Sequence, residues 1–202
     1  MGAPIKQIMT PKITNTFIDG KVVQIEDCLP DDLDHNTLFH HHDRAFPFPG
    51  AQLGELQQYR LEPSERSPAL NEKLDQLRVL LKVPDEYVAR VALHEIMPGQ
   101  FIPPHLDQDY FGGLTIFLNR DWDQSWGGWG IAYEGDEFAV TAPKYGCGVF
   151  YRTPLYHCTS PVYQRDMRRR SIQIFYVLAE TLETLKSRAP KIISLEALAK
   201  NA

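Results

Sequence analysis

The sequence predicts a mainly β domain, two packed sheets braced by helices toward each end of the chain. Two observations point there. From about residue 87 to residue 178, short runs rich in β-branched and aromatic residues are broken by Gly and Pro signals. Helical patterns lie before and after that stretch, the clearest being Leu70, Leu74, Leu77 and Leu81. A chain of 202 residues suits one well-buried domain, taken here as 1–202 with its core at about 87–178.

In chain order, residues 12–26 read as a hairpin around Asp19-Gly20. Pro30-Asp31-Asp32-Leu33 reads as a helix entry, its carboxylates near the positive end of the dipole, with the helix ending near His40. Consecutive residues point in different directions, so His40-His41-His42 reads as solvated surface rather than a chelate. Two prolines and a glycine make Ala45-Phe46-Pro47-Phe48-Pro49-Gly50 a loop, a candidate substrate rim. Ser67 as N-cap and Pro68 at the first helical position open the leucine-lined helix, which Pro84-Asp85 closes.

Residues 87–97 read as a strand whose more apolar face carries Tyr87, Ala89, Val91, Leu93, Glu95 and Met97. Glu95 is the single charge there, and a carboxylate among apolar neighbours is costly without a partner or a task. It is set down as a contact for a positively charged substrate group, against the plainer alternative of a strand end reaching water. After a Pro98-Gly99 turn, residues 114–118 form a buried strand with Thr115 and Phe117 on one face. The loop that follows holds Trp122, Trp126 and Trp129, read as gap fillers, with Trp122 a candidate substrate contact. Strands follow at 138–141, 146–153 and 171–177, then short helices at 179–188 and 195–200 flanking Pro190, the second capped by Ser194.

A net charge of -5 with a pI near 5.8 argues against electrostatic capture of nucleic acid, and no such partner is expected. No apolar run approaches the roughly 18 to 20 residues of a membrane span, and the start has no apolar leader core, so a cytoplasmic protein with no membrane partner is expected. Cys28, Cys147 and Cys158 lack CxxC spacing and make neither a disulfide framework nor a zinc cluster. Nothing in the sequence sets the oligomeric state.

The chemistry concentrates around Pro104-His105-Leu106-Asp107. Positions i and i+2 of an extended strand share a face, so His105 and Asp107 place an imidazole beside a carboxylate. His157 could complete a two-His, one-carboxylate triad, which leaves metal positions open, as non-haem Fe(II) oxygenases require. An HxD pair alone is common; its continuation makes it specific. Downstream, Arg168-Arg169-Arg170 runs into a strand beginning at Ser171. Alternation puts Arg169, Ser171, Gln173 and Phe175 on one face, and a guanidinium can hold a carboxylate through two parallel bonds.

Across about 89–177 these residues resemble the 2-oxoglutarate and Fe(II)-dependent dioxygenases, particularly the prolyl-hydroxylase-like branch. The resemblance rests on a strand ending in Pro98-Gly99, the HxD pair, Leu118-Asn119-Arg120-Asp121-Trp122, Gly127-Gly128, the Pro143 turn, His157 and Arg169-x-Ser171. It implies a double-stranded β-helix, or jelly roll. His105, Asp107 and His157 would bind Fe(II), and Arg169, helped by Ser171, would hold the distal carboxylate of 2-oxoglutarate. Members of that branch often carry two tyrosines against the co-substrate where this chain has Met97 and Phe117; Thr115, on the Phe117 face, is expected to supply a polar contact instead. The implied reaction is hydroxylation of a peptidyl or free amino-acid side chain, proline first among them. O2 is consumed, 2-oxoglutarate is decarboxylated to succinate and CO2, and ascorbate serves as reductant. Asp107 stands where halogenating relatives have a small residue, which favours hydroxylation. The alternatives are desaturation or cyclisation of a small metabolite and a non-catalytic jelly-roll metal-binding module. A nucleic-acid repair oxygenase using the basic run at 165–170 is disfavoured by the acidic balance of the chain.

Overall fold

The computed structural model describes residues 9–31, 33, 38, 45–47, 57–107 and 110–181. Twelve strands lie among them: β1 (Lys12–Phe17), β2 (Val22–Glu26), β3 (Ala45–Pro47), β4 (Gln57–Arg60), β5 (Tyr87–Ile96), β6 (His105–Leu106), β7 (Tyr110–Phe117), β8 (Gly130–Glu134), β9 (Glu137–Thr141), β10 (Gly148–Arg152), β11 (Tyr156–Thr159) and β12 (Arg169–Leu178). They form an eight-stranded sheet in the order β1-β2-β10-β7-β12-β5-β4-β3 and a four-stranded sheet in the order β6-β11-β8-β9. Every pairing is antiparallel, so the chain is a mainly β, jelly-roll-like double sheet.

The order follows from local chemistry. The hairpin of β1 and β2 turns through Ile18, Asp19 and Gly20, all with positive φ, where Asp and Gly are tolerated best. Helix α1 (Pro68–Leu80) starts as expected: the Ser67 hydroxyl accepts from the Leu70 amide at 3.2 Å, and Pro68 takes the first position. Its buried leucines, Leu70, Leu74 and Leu77, pack with Leu81 on the outer face of the large sheet, against Val91 and Leu93 of β5 and Ile172, Ile174 and Tyr176 of β12. Each fully buried leucine contributes about 2 kcal/mol relative to an exposed one. A second apolar cluster fills the space between the sheets, where Phe117, Val149 and Tyr151 of the large sheet meet Ala132 and Ala139 of the small one.

The structure departs from expectation at 45–50. Ala45–Pro47 is not loop but strand β3, paired with β4 through Ala45↔Tyr59, Phe46↔Gln58 and Pro47↔Gln57. Because β3 is the outermost strand, the amide that Pro47 lacks need not serve a second neighbour. Strand β4 itself carries no alternating apolar signature and was not anticipated. The His40–His42 triplet, Phe48 and nearly all of the helix expected at 30–40 lie outside the described residues, as do the C-terminal helices beyond Thr181; residues 179–181 begin the first of these. No described helix is long and apolar enough to cross a membrane.

Candidate metal centre

Strand β6 is two residues long and lies beside β11, with His105 directly opposite His157. Directly opposed residues share a face, so both imidazoles point the same way. The extended run expected through Asp107 ends one residue short, at Leu106, yet the Asp107 carboxylate reaches the same point. Its Oδ1 is 3.9 Å from His105 Nε2 and its Oδ2 is 3.6 Å from His157 Nε2. One ligand atom from each residue lies within 4.8 Å of the others, a spacing that one first-row metal ion at about 2.1 Å from each donor can bridge.

Both rings are aimed by backbone. His105 Nδ1 is 2.8 Å from the Pro103 carbonyl oxygen and His157 Nδ1 is 3.0 Å from that of Leu155. A carbonyl oxygen only accepts, so each Nδ1 carries the proton and donates, and each Nε2 turns a lone pair toward the shared point. Burial, with His105 close by, holds the His157 imidazole below its usual range and favours the neutral, metal-binding form. The Tyr151 ring stacks on His157 at 5.0 Å between centroids and 22° between planes, covering one face of the imidazole.

Beneath the trio lies the inner face of the large sheet. A Cβ on Gly113 of β7 would stand 3.6 Å from Asp107 Oδ2, which places the carboxylate over that strand. Along β12 the inward positions are Arg169, Ser171 and Gln173; Ser171 lies opposite Phe117 of β7 and His94 of β5, and Gln173 opposite Thr115. All of these are buried. Thr115 donates to Gln173 Oε1 at 2.9 Å, and Gln173 Nε2 donates to the Ser171 hydroxyl at 3.5 Å, so Thr115 acts within a chain of side chains. Burial, assisted by Arg169 and Arg90, pushes His94 down to about 3 and keeps it neutral near pH 7.

Arg169 is the exceptional group. It is 1% exposed, and its Nε and Nη1 make no hydrogen bond among the described residues. Burial lowers its pKa to about 10, which leaves it charged at neutral pH. The guanidinium carbon stands 5.0 Å from the Phe117 ring centre, so that ring forms one wall of its site. A buried cation without a matching anion is costly, and this one lies on the inner face of the large sheet, across the gap from the small-sheet strands that carry His105 and His157.

The Gly127-Gly128 pair has a steric reason. Both have positive φ, a Cβ on Gly127 would collide with the Pro161 carbonyl oxygen, and one on Gly128 would lie 3.0 Å from Arg169 Cδ and 3.3 Å from Trp122 Cζ2. Trp122, a candidate substrate contact by sequence, sits behind Gly128. Its indole donates to the Gly127 carbonyl at 3.1 Å, and its ring packs against Ile96 and Val162.

Glu95 lies on the opposite face of β5 from His94, and therefore away from the three ligand residues. It is fully buried, with Oε1 taking Arg168 Nη1 at 2.5 Å and Oε2 taking Arg170 Nε at 3.0 Å. The chain thus supplies the carboxylate with its own cations, and of the three consecutive arginines it turns Arg169 alone inward. Glu95→Gln is expected to lower stability by about 2 to 3 kcal/mol, leaving two guanidiniums under-compensated, while metal and carboxylate binding stay unchanged. Chemical denaturation alongside ligand titration checks this; a large loss of ligand affinity at wild-type stability would contradict it.

Tyr151 and His94 were not singled out by sequence. Tyr151 closes an apolar run, Val149-Phe150-Tyr151, that reads as core. The available signal was a hydroxyl at the inward end of that run.

No family model and no curated protein sequence matches this chain. Solved structures do share its fold. A prolyl-4-hydroxylase from Pseudomonas putida superposes with a TM-score of 0.65 at 19% identity, covering 78% of this chain and 92% of that one. A prolyl hydroxylase from Trichoplax adhaerens, in complex with a peptide fragment of the hypoxia inducible factor oxygen degradation domain, gives 0.63 at 13% identity, covering 82% and 86%. The non-haem alpha-ketoglutarate-dependent carbocyclase SnoK, from nogalamycin biosynthesis, gives 0.55 at 11%, covering 79% and 80%. At these identities the likeness is one of fold.

Proposed function

We propose that this chain is an Fe(II)- and 2-oxoglutarate-dependent dioxygenase that hydroxylates a peptidyl or free amino-acid side chain, proline being the leading substrate. The single observation that carries the reading is Arg169, a buried cation whose Nε and Nη1 make no hydrogen bond among the described residues, on the inner face of the large sheet opposite the small-sheet site of His105, Asp107 and His157. A metal trio alone would suit many proteins; a trio facing a buried guanidinium suits one that binds a metal-chelating acid with a second carboxylate. The structures sharing this fold include prolyl hydroxylases, one of them holding a peptide fragment.

In this reading His105, Asp107 and His157 hold the iron, with neutral Nε2 donors prepared by the Pro103 and Leu155 carbonyls. Arg169 takes the distal carboxylate of 2-oxoglutarate. Ser171 and Thr115 line the floor, and Phe117 shields the guanidinium from water, which strengthens its grip in a low-dielectric site. When bound, iron and 2-oxoglutarate supply the oxidising chemistry, consuming O2 and yielding succinate and CO2, with ascorbate as reductant. The chain's own work is to bind, orient and exclude water.

The catalytic domain is assigned to the whole chain with its core at 87–178. The free cysteines Cys28, Cys147 and Cys158 suit a reducing, cytoplasmic setting. The fold shared with a carbocyclase keeps cyclisation or desaturation of a small metabolite as the second reading. Anaerobic addition of Fe(II) and then 2-oxoglutarate is expected to develop a visible charge-transfer band. Oxygen should then yield succinate matched one to one with substrate turnover. A mass gain of one oxygen marks hydroxylation and a loss of two hydrogens marks the second reading. Absence of both band and succinate would overturn the proposal.

A further inference from the structure

Tyr151 poses a question that metal binding does not answer. It is 6% exposed, and its hydroxyl makes no hydrogen bond among the described residues. A buried hydroxyl is normally satisfied, and leaving one orphaned is unfavourable. Its ring stacks on His157 and shares an apolar cluster with Phe117, the ring beside the Arg169 guanidinium. Tyr151 thus lies between the metal ligands and the buried arginine, and reaches both through direct neighbours.

Strand β8 and the turn before it are cut to fit. Residues 128, 130 and 132 take alternate positions, and none carries a side chain beyond a methyl group. A Cβ on Gly128 would press on Arg169, one on Gly130 would collide with the Tyr151 hydroxyl, and Ala132 lies opposite His157. Three successive small positions therefore accommodate the stem of Arg169, a phenol and the strand neighbour of a metal-binding imidazole in turn. A tyrosine phenol carries its proton at neutral pH and can act as a donor. Arg169 Nε and Nη1 are donors too. The species that satisfies a buried cation and a neighbouring O–H together is a carboxylate.

We infer that Tyr151 is a binding residue for the distal carboxylate of 2-oxoglutarate, donating its hydroxyl to the oxygen atoms that Arg169 holds. This rests on the functional reading above. Phe117 and Met97 offer no hydroxyl, so the phenol arrives from β10 instead.

The test compares wild type with Tyr151→Phe, both loaded anaerobically with Mn(II), by calorimetric titration. The ligands are 2-oxoglutarate and 2-oxobutanoate, which chelates alike but lacks the distal carboxylate. The expected result is a Kd for 2-oxoglutarate raised about tenfold or more. Binding of 2-oxobutanoate and Mn(II) should stay within about twofold of wild type, within the spread expected for a site whose contacts are untouched. The ligand-free Tm should not fall. An unchanged Kd for 2-oxoglutarate overturns the inference, and so does equal weakening of both acids, which would mark a merely structural role. If wild type itself fails to bind 2-oxoglutarate, the functional reading falls and this one with it; if wild type binds and Tyr151→Phe matches it, only the role of Tyr151 is lost.

Discussion

Replacing Asp107 with alanine is expected to abolish turnover, lowering succinate release by at least about a thousandfold, since the carboxylate is the only anionic member of the trio. Metal affinity should fall by more than about a hundredfold, beyond what is typical when only an outer hydrogen-bond partner of a ligand is lost. Asp107 follows β6 and supports no strand pairing, so the fold should survive and the loss should appear in binding rather than in expression. Mn(II) titration followed by electron paramagnetic resonance separates the two. Retention of Mn(II) within tenfold of wild type would sink the assignment of Asp107 as a ligand.

Arg169→Met should have opposite effects on stability and binding. The protein without ligand becomes more stable by about 1 to 4 kcal/mol, the range seen when buried charges give way to apolar groups of similar size. For a domain of this length that is a rise in Tm of several degrees, at about 2 to 4 °C per kcal/mol. At the same time 2-oxoglutarate binding should weaken by at least about a hundredfold, because a bidentate, charge-assisted contact is lost from a dry site. Mn(II) binding should be unaffected, since Arg169 makes no hydrogen bond or ion pair with His105, Asp107 or His157. Differential scanning fluorimetry with and without 2-oxoglutarate reads both effects at once. A variant that is less stable alone yet equally stabilised by 2-oxoglutarate would remove Arg169 from the co-substrate site.

The legible parts of this site were those that depend on one strand at a time. Alternation from Ser171 alone picks Arg169 out of three adjacent arginines, and the structure turns Arg169 inward while Arg168 and Arg170 go to Glu95. Leucine spacing and a Ser-Pro start found α1 in the same way. What escaped depends on which strands become neighbours. The partner of Glu95 is opposite it on β12, about 75 residues away in sequence, and no local pattern announces that register. Strand β3 is permitted only by lying at an edge, and Tyr151 matters only because β8 is bare where its hydroxyl lands. Pairing of distant segments decides all three, and periodicity carries no information about it.

The two histidines stand on the small sheet and Arg169 on the large one, with an apolar cluster setting the gap between the layers. Under the proposed chemistry, a 2-oxo diacid is gripped at one end by one layer and at the other end by the opposite layer, so the sandwich works as a caliper. Its jaw opening is fixed by the packed width of Ala132, Ala139, Phe117 and Val149, residues that need never touch the ligand. Selectivity for diacid length would then be a property of core packing, and enlarging Ala139 could retune it without altering any group that binds.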